Sequence, residues 1–135
     1  MAAAERRAVI IVESLVHEPG CRPFDEVVDR MAEQLRRHGF VAERFFDLDR
    51  ELLARTGAQL RPYRVLLVFN PAVTHRILRC DPAAADRAVV LVTVRDTGDG
   101  IVVGASDPAQ PVPPHLAAAV RDLNELLRTA LSAAG

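Results

Sequence analysis

Three stretches of this chain are apolar on consecutive residues: AVIIVES at 8–14, YRVLLVF at 63–69 and AVVLVTVR at 88–95. Side chains of a strand point alternately to its two faces, so an unbroken β-branched run is apolar on both, and both need cover. Few elements are available to supply it. From Pro23 to His38, the residues Phe24, Val27, Val28, Met31 and Leu35 form one stripe at helical spacing. Pro23 suits the first turn. Asp25 and Glu26 complement the positive end, and Arg36, Arg37 and His38 the negative end. Gly39 is the expected left-handed stop. A second long stripe, Leu116, Val120, Leu123, Leu127 and Leu131, follows Pro114 near the C-terminus.

The other segments are shorter. FVAERFF reads as a strand, and DLDRELLART as a short helix capped by Asp47 or Asp49 and ended by Gly57. PAVTHRILR is a helix of two turns. AVVLVTVR and IVVGAS flank DTGDG, a hairpin turn, and DPAQPVPP is a stiff connector. The expected order is strand, helix, strand, helix, strand, helix, hairpin, helix. This is an α+β single domain over residues 1–135, with a mixed β-sheet of about five strands, two longer helices and two short ones. Its core spans about 8–108 and its C-terminal helix about 114–133. One layer of helices leaves part of the other sheet face bare, so a homodimer is expected, with the C-terminal helix as its contact element.

Composition removes several function classes. With 17 basic against 18 acidic residues, no charge excess points to nucleic acid or an anionic membrane. Every basic residue is arginine, which excludes lysine Schiff bases, covalent pyridoxal phosphate and a phosphate-binding loop with its lysine. The apolar runs are far shorter than the roughly 20 residues that span a bilayer. MAAAERRAVIIVES reads as the start of the first strand and not as a signal peptide. Cys21 and Cys80 form neither a CxxC pair nor a disulfide framework, so a reduced, cytoplasmic protein is expected.

The chemistry-bearing residues converge on one stretch, PYRVLLVFNPAVTHRILRCDP. Asn70 is a favoured N-cap and Pro71 a favoured first helical residue, so Asn-Pro after a buried strand is sound punctuation. On that reading Asn70→Ser is nearly silent, because serine caps about as well. The same turn also aims free N–H groups outward, a natural seat for a polar or anionic ligand. His75 and Arg79 share a helix face near it, and Tyr63 begins the strand that leads to it. Asn70, His75, Arg79 and Tyr63 are therefore the candidate ligand-binding set, with His75 and Arg79 the catalytic candidates. Cys80 shares a face with Val73 and Ile77 and is expected buried, whereas Cys21, beside Gly20, is expected accessible.

Other chemistries fare worse. His17, Glu18 and Cys21 lie in one loop and His75 and Cys80 on one helix, but no pair has a recognised ligand spacing, so no metal is expected. Three serines and no G-x-S-x-G turn speak against a serine hydrolase. Asp96, Asp99 and Gly100 are turn formers, and the twelve-residue calcium-loop pattern is absent. His38 suits a helix C-terminus and His115 a first-turn surface.

FDEVVDRMAEQLRRHGF, DLDRELL, PYRVLLVFNPAVTHRILRCDP and AVVLVTVRDTGDGIVVGASDP, in this order, resemble the domain of unknown function 302 family over about residues 13–108. The resemblance implies a small α+β domain that tends to dimerise, with no established general activity. Two positions depart from the family pattern. Phe69 stands where cysteine is common before Asn-Pro, and RAVVLV lacks a Leu-Pro-Cys segment, so a thiol role is not carried over. The expected function is a small-molecule-binding domain without a cofactor, open to cofactor-independent catalysis, with its pocket at the Asn70 turn. The alternative is a non-catalytic dimeric interaction, carrier or regulatory module.

Overall fold

Strands β1 (Val9–Leu15), β2 (Val41–Asp47), β3 (Tyr63–Phe69), β4 (Val90–Asp96) and β5 (Ile101–Ser106) form one sheet in the order β1-β5-β4-β3-β2. They come from a computed structural model that describes residues 9–15, 24–106 and 112–133. The α+β class and the five strands are as expected, but the sheet is antiparallel at every pairing and not mixed. The reason is connectivity. β3, β4 and β5 each lie beside their predecessor with reversed direction, and the one long crossover joins the two edge strands β1 and β2, which do not pair. A parallel pair needs a crossover that returns the chain to a neighbouring position.

The helices are α1 (Phe24–Arg37), α2 (Leu48–Thr56), α3 (Pro71–Cys80), α4 (Ala85–Ala88) and α5 (Ala117–Ala133), the last entered through a 3-10 turn at Pro114–Leu116. α4 is one more short helix than expected; four residues are too few to show periodicity. The start of α1 at Pro23 and most of the connector before α5 lie outside the described residues.

Strand register explains where the core sits. Leu66 pairs with Val92 and Val68 with Val90, and across the next ladder Val94 pairs with Val103 and Val92 with Ala105. All of these are buried. α1 lays Val28, Met31 and Leu35 into the core, α3 lays Ile77, and α5 lays Leu123, Leu127 and Leu131. α5 packs against both α1 and α3, so the three form one helical layer. Each such buried side chain contributes about 1.5–3 kcal/mol relative to exposure. The stripe of α5 is thus consumed by the chain's own core.

α1 stops as its sequence demands. Gly39 has φ 87°, its N–H donates to Arg36 O at 3.1 Å, and Phe40 N donates to Leu35 O at 2.9 Å. This is the paired-bond stop that a left-handed residue permits, and Phe40 is buried as its apolar companion. His38 Nδ1 lies 2.8 Å from Gln34 O, in keeping with a role at the helix end.

A charged residue sits deep on the covered face. Arg64 of β3, with its side chain 15% exposed, donates from Nη2 to Asp25 Oδ1 at 2.7 Å and pairs through Nε with Asp47. Its guanidinium also lies 5.6 Å from the centre of the Phe24 ring. The first turn of α1, the end of β2 and the start of β3 are thereby tied together. Asp47 holds the N-cap position of α2 but makes no side-chain cap bond, because its carboxylate turns to Arg64 and Arg50. Asp49 instead accepts from Tyr63 N at 3.2 Å. The end at Gly57, φ 74°, is as expected.

Asp25 and Asp47 both reach water, so removing Arg64 does not strand a buried charge. Arg64→Met is expected to lower the unfolding free energy by about 1–3 kcal/mol in urea denaturation. The same change should cost less in an Asp47→Asn background, since the two residues act through one contact.

Candidate functional site

The Asn70 turn is built from both of its ends. Asn70 is in an extended conformation, Pro71 opens α3, and the Asn70 side-chain oxygen accepts from Val73 N at 3.1 Å. Its backbone oxygen accepts from Thr74 N at 2.7 Å. The cap expected from the sequence is therefore present. The other end of the amide is also used: Nδ2 donates to Gly39 O at 3.4 Å, reaching the stop of α1. A Cβ on Gly39 would stand 3.4 Å from that Nδ2, so the approach is close. Asn70 is 8% exposed, with donor and acceptor both engaged inside the fold. It joins the end of one helix to the start of another.

The remaining candidates do not gather around it. Tyr63 and Asn70 lie at opposite ends of β3, about 20 Å of strand apart. His75 and Arg79 share an exposed face of α3, as their spacing implies. That face points away from the buried Val73, Thr74 and Ile77, and so away from the cap. Cys80 corrects an expectation: it is exposed. The buried side of α3 is centred on Thr74 and Ile77, with Leu78 partly buried, because Thr74 Oγ1 donates to Ala88 O at 2.8 Å and turns the helix. At about 100° per residue Cys80 falls at the margin of that side, in the last turn.

His17, Glu18 and Cys21 lie outside the described residues. Among the described residues no group of three or more His, Cys, Asp or Glu could hold a metal ion, and no helix is long and apolar enough to cross a membrane. The DTGDG segment is a turn held by its own side chains. Asp96 Oδ1 accepts from Gly98 N at 2.7 Å, and Thr97 Oγ1 donates to Gly100 O at 3.1 Å. His115 is exposed in the 3-10 turn.

Two other surfaces stand out. The first is the sheet face opposite the helices. Its central strands show Leu67 at 37% and Leu91 at 44% exposure, cross-strand partners of each other, and edge strand β2 adds Phe46 at 53%. Val65, Phe69 and Val102 are half-buried around them. Leu67, Leu91 and Phe46 thus stay open to water on this face, which the two-faced apolar runs foreshadowed, and exposed Arg95 lies toward its end. The second surface is a groove of about 400 Å³ along α5, bordered by Val112 and by Arg121, Asn124 and Arg128. Its signal in the sequence is faint: one asparagine on the flank of an otherwise regular helix.

The double engagement of Asn70 changes what its variants should do. Serine retains the cap but cannot reach Gly39, so Asn70→Ser is expected to cost about 0.5–1.5 kcal/mol instead of being silent. Asn70→Ala, losing both bonds, should cost about 1–3 kcal/mol. Urea midpoints of the two variants check the order. Thiol titration of the native protein checks the second correction, with Cys80 reacting before any denaturant is added.

Comparison with known proteins bears on the fold. No curated protein matches the chain. The crystal structure of an uncharacterised conserved DUF302 protein from Bacillus stearothermophilus is similar, with 19% identity and a TM-score of 0.77, over 96% of this chain and 98% of that one. The model of the family described as "Domain of unknown function DUF302" matches residues 18–134, so its reach includes α5, beyond the stretch that the motifs alone suggested. With that match over most of its length, the chain belongs to the DUF302 family.

Proposed function

We propose that this protein is a non-catalytic interaction module that pairs with a second copy of itself through the open face of its sheet. The observation that carries the reading is the exposure of Leu67 and Leu91 at the centre of that face, with Phe46 beside them. Central strands do not leave apolar side chains in water without reason, and large bare patches of this kind are interfaces.

The size is adequate. Five strands of six or seven residues give a sheet face of roughly 24 Å by 22 Å, or about 500 Å² per copy, with Leu67 and Leu91 at its centre. Two copies bring together about 1,000 Å², the lower bound for a stable specific interface. A two-fold pairing asks only that one patch be complementary to itself, which the Leu67–Leu91 pair meets by stacking on its own image. α5 does not serve as the contact element, because its leucine stripe is already in the core. A small-molecule pocket at the Asn70 turn would require the Asn70 amide to leave Val73 and Gly39. An exposed free thiol at Cys80 suits the reducing cytoplasm.

Light scattering at micromolar concentration should return the mass of a dimer. Leu67→Arg with Leu91→Arg should return a monomer with unchanged circular dichroism, since both residues lie on the surface of each copy. A monomeric parent, or a double variant that still dimerises, would contradict the reading.

A further inference from the structure

The turn between β4 and β5 holds two aspartates in different situations. Thr97 N donates to Gly100 O at 2.9 Å, closing a corner made of Gly98 and Asp99 beyond the paired Asp96 and Ile101. Gly98 has φ 92° and Asp99 does not take a positive φ, so the first corner position is the one that needs glycine. Asp96 serves this turn, its Oδ1 accepting from Gly98 N at 2.7 Å. The Asp99 carboxylate does not. It is exposed and makes no hydrogen bond or ion pair among the described residues.

The residue that follows Asp99 is equally particular. Of the chain's aspartates and asparagines, Asp99 alone precedes a glycine. The Gly100 N–H donates to no acceptor among the described residues. Gly100 also has no Cβ to crowd the approach to its nitrogen. A carboxyl group without a partner and an amide nitrogen without a partner thus stand next to each other in the chain, and a bond between them closes a five-membered ring.

We propose that Asp99 is a self-modification site, which converts to isoaspartate through a cyclic imide with Gly100. The Gly100 nitrogen bonds to Asp99 Cγ, and the nitrogen's proton leaves with the carboxyl hydroxyl as water. Water then adds back at one of the two imide carbonyls. Addition at Cγ restores aspartate. Addition at the main-chain carbonyl breaks its bond to the Gly100 nitrogen and leaves the chain running through Cβ and Cγ. Water is lost and regained, so the product is an isomer and no oxidant or reductant is needed.

The product has a main chain longer by a carbon at a corner whose span is fixed by Thr97 and Gly100. Both the Thr97 N bond and the Thr97 Oγ1 bond to Gly100 O, at 3.1 Å, depend on that span. Conversion therefore loosens the closed end of the hairpin, where Asp96 pairs with Ile101. β5 lies between β4 and β1, so the disturbance enters the interior of the sheet. The reaction needs no second copy, and the inference is independent of self-association.

Ageing the full chain at physiological temperature and neutral pH, followed by tryptic digestion and electron-transfer fragmentation, tests it. Isoaspartate should accumulate at residue 99 at least about tenfold faster than at any other aspartate, since a side chain follows every other one. Asp99→Glu should abolish the conversion, because closure then needs a larger ring. Gly100→Ala should slow it by about tenfold or more. Gly100 does not take a positive φ, so alanine suits its backbone. The converted protein, separated by chromatography, should melt below the parent. The inference is overturned if residue 99 stays aspartate while an unstructured peptide of residues 95–103 converts, if Asp96 converts as fast, or if the converted protein melts with the parent.

Discussion

The organisation of this domain depends on one asymmetry in how its sheet is covered. On β3 and β4 the side chains of Leu66, Val68, Val92 and Val94 are buried under α1, α3 and α5, while their immediate neighbours Leu67 and Leu91 face outward. Apolar residues occupy both sides, and α1, α3 and α5 cover one of them. The exposure of Leu67 and Leu91 on the other side is what the proposed pairing rests on.

Polar contacts fix how the helical layer meets the sheet. Arg64 ties α1 to the ends of β2 and β3 through Asp25 and Asp47, and Asn70 ties the stop of α1 to the start of α3. Thr74 continues the chain of contacts to Ala88, just before β4. Arg64 and Asn70 each use a side chain with more than one hydrogen-bonding group, so that one residue serves two elements. The Asn-Pro boundary is punctuation in this sense: it sets where β3 ends and how α3 is held, with its polar groups turned inward.

What was legible in the sequence was local. YRVLLVF is β3 residue for residue because Asn70-Pro71 ends it sharply, and Gly39 and Gly57 stop their helices in the left-handed conformation expected of them. The hairpin at DTGDG was equally plain. Relations between distant segments were not legible. Whether neighbouring strands run parallel depends on where a crossover lands, which no periodicity records. The second bond of Asn70 goes to Gly39, far back in the chain, and a cap motif carries no sign of it. Cys80 shares its spacing with Val73 and Ile77, yet the Thr74–Ala88 contact turns α3 so that Cys80 lies at the margin. The stripe of α5 was correctly read as apolar, but the same pattern serves an internal core and an external contact alike.

The central claim is that one sheet face is buried within the chain and the other is buried only by a second copy. Methyl NMR with a soluble paramagnetic agent, followed over protein concentration, measures this directly. Leu66 methyls should be protected at every concentration. Leu67 and Leu91 methyls should be accessible at high dilution and lose that accessibility together as concentration rises into the micromolar range. Leu67 and Leu91 methyls that are protected even in a dilute monomer, or that stay accessible at all concentrations, would contradict the account.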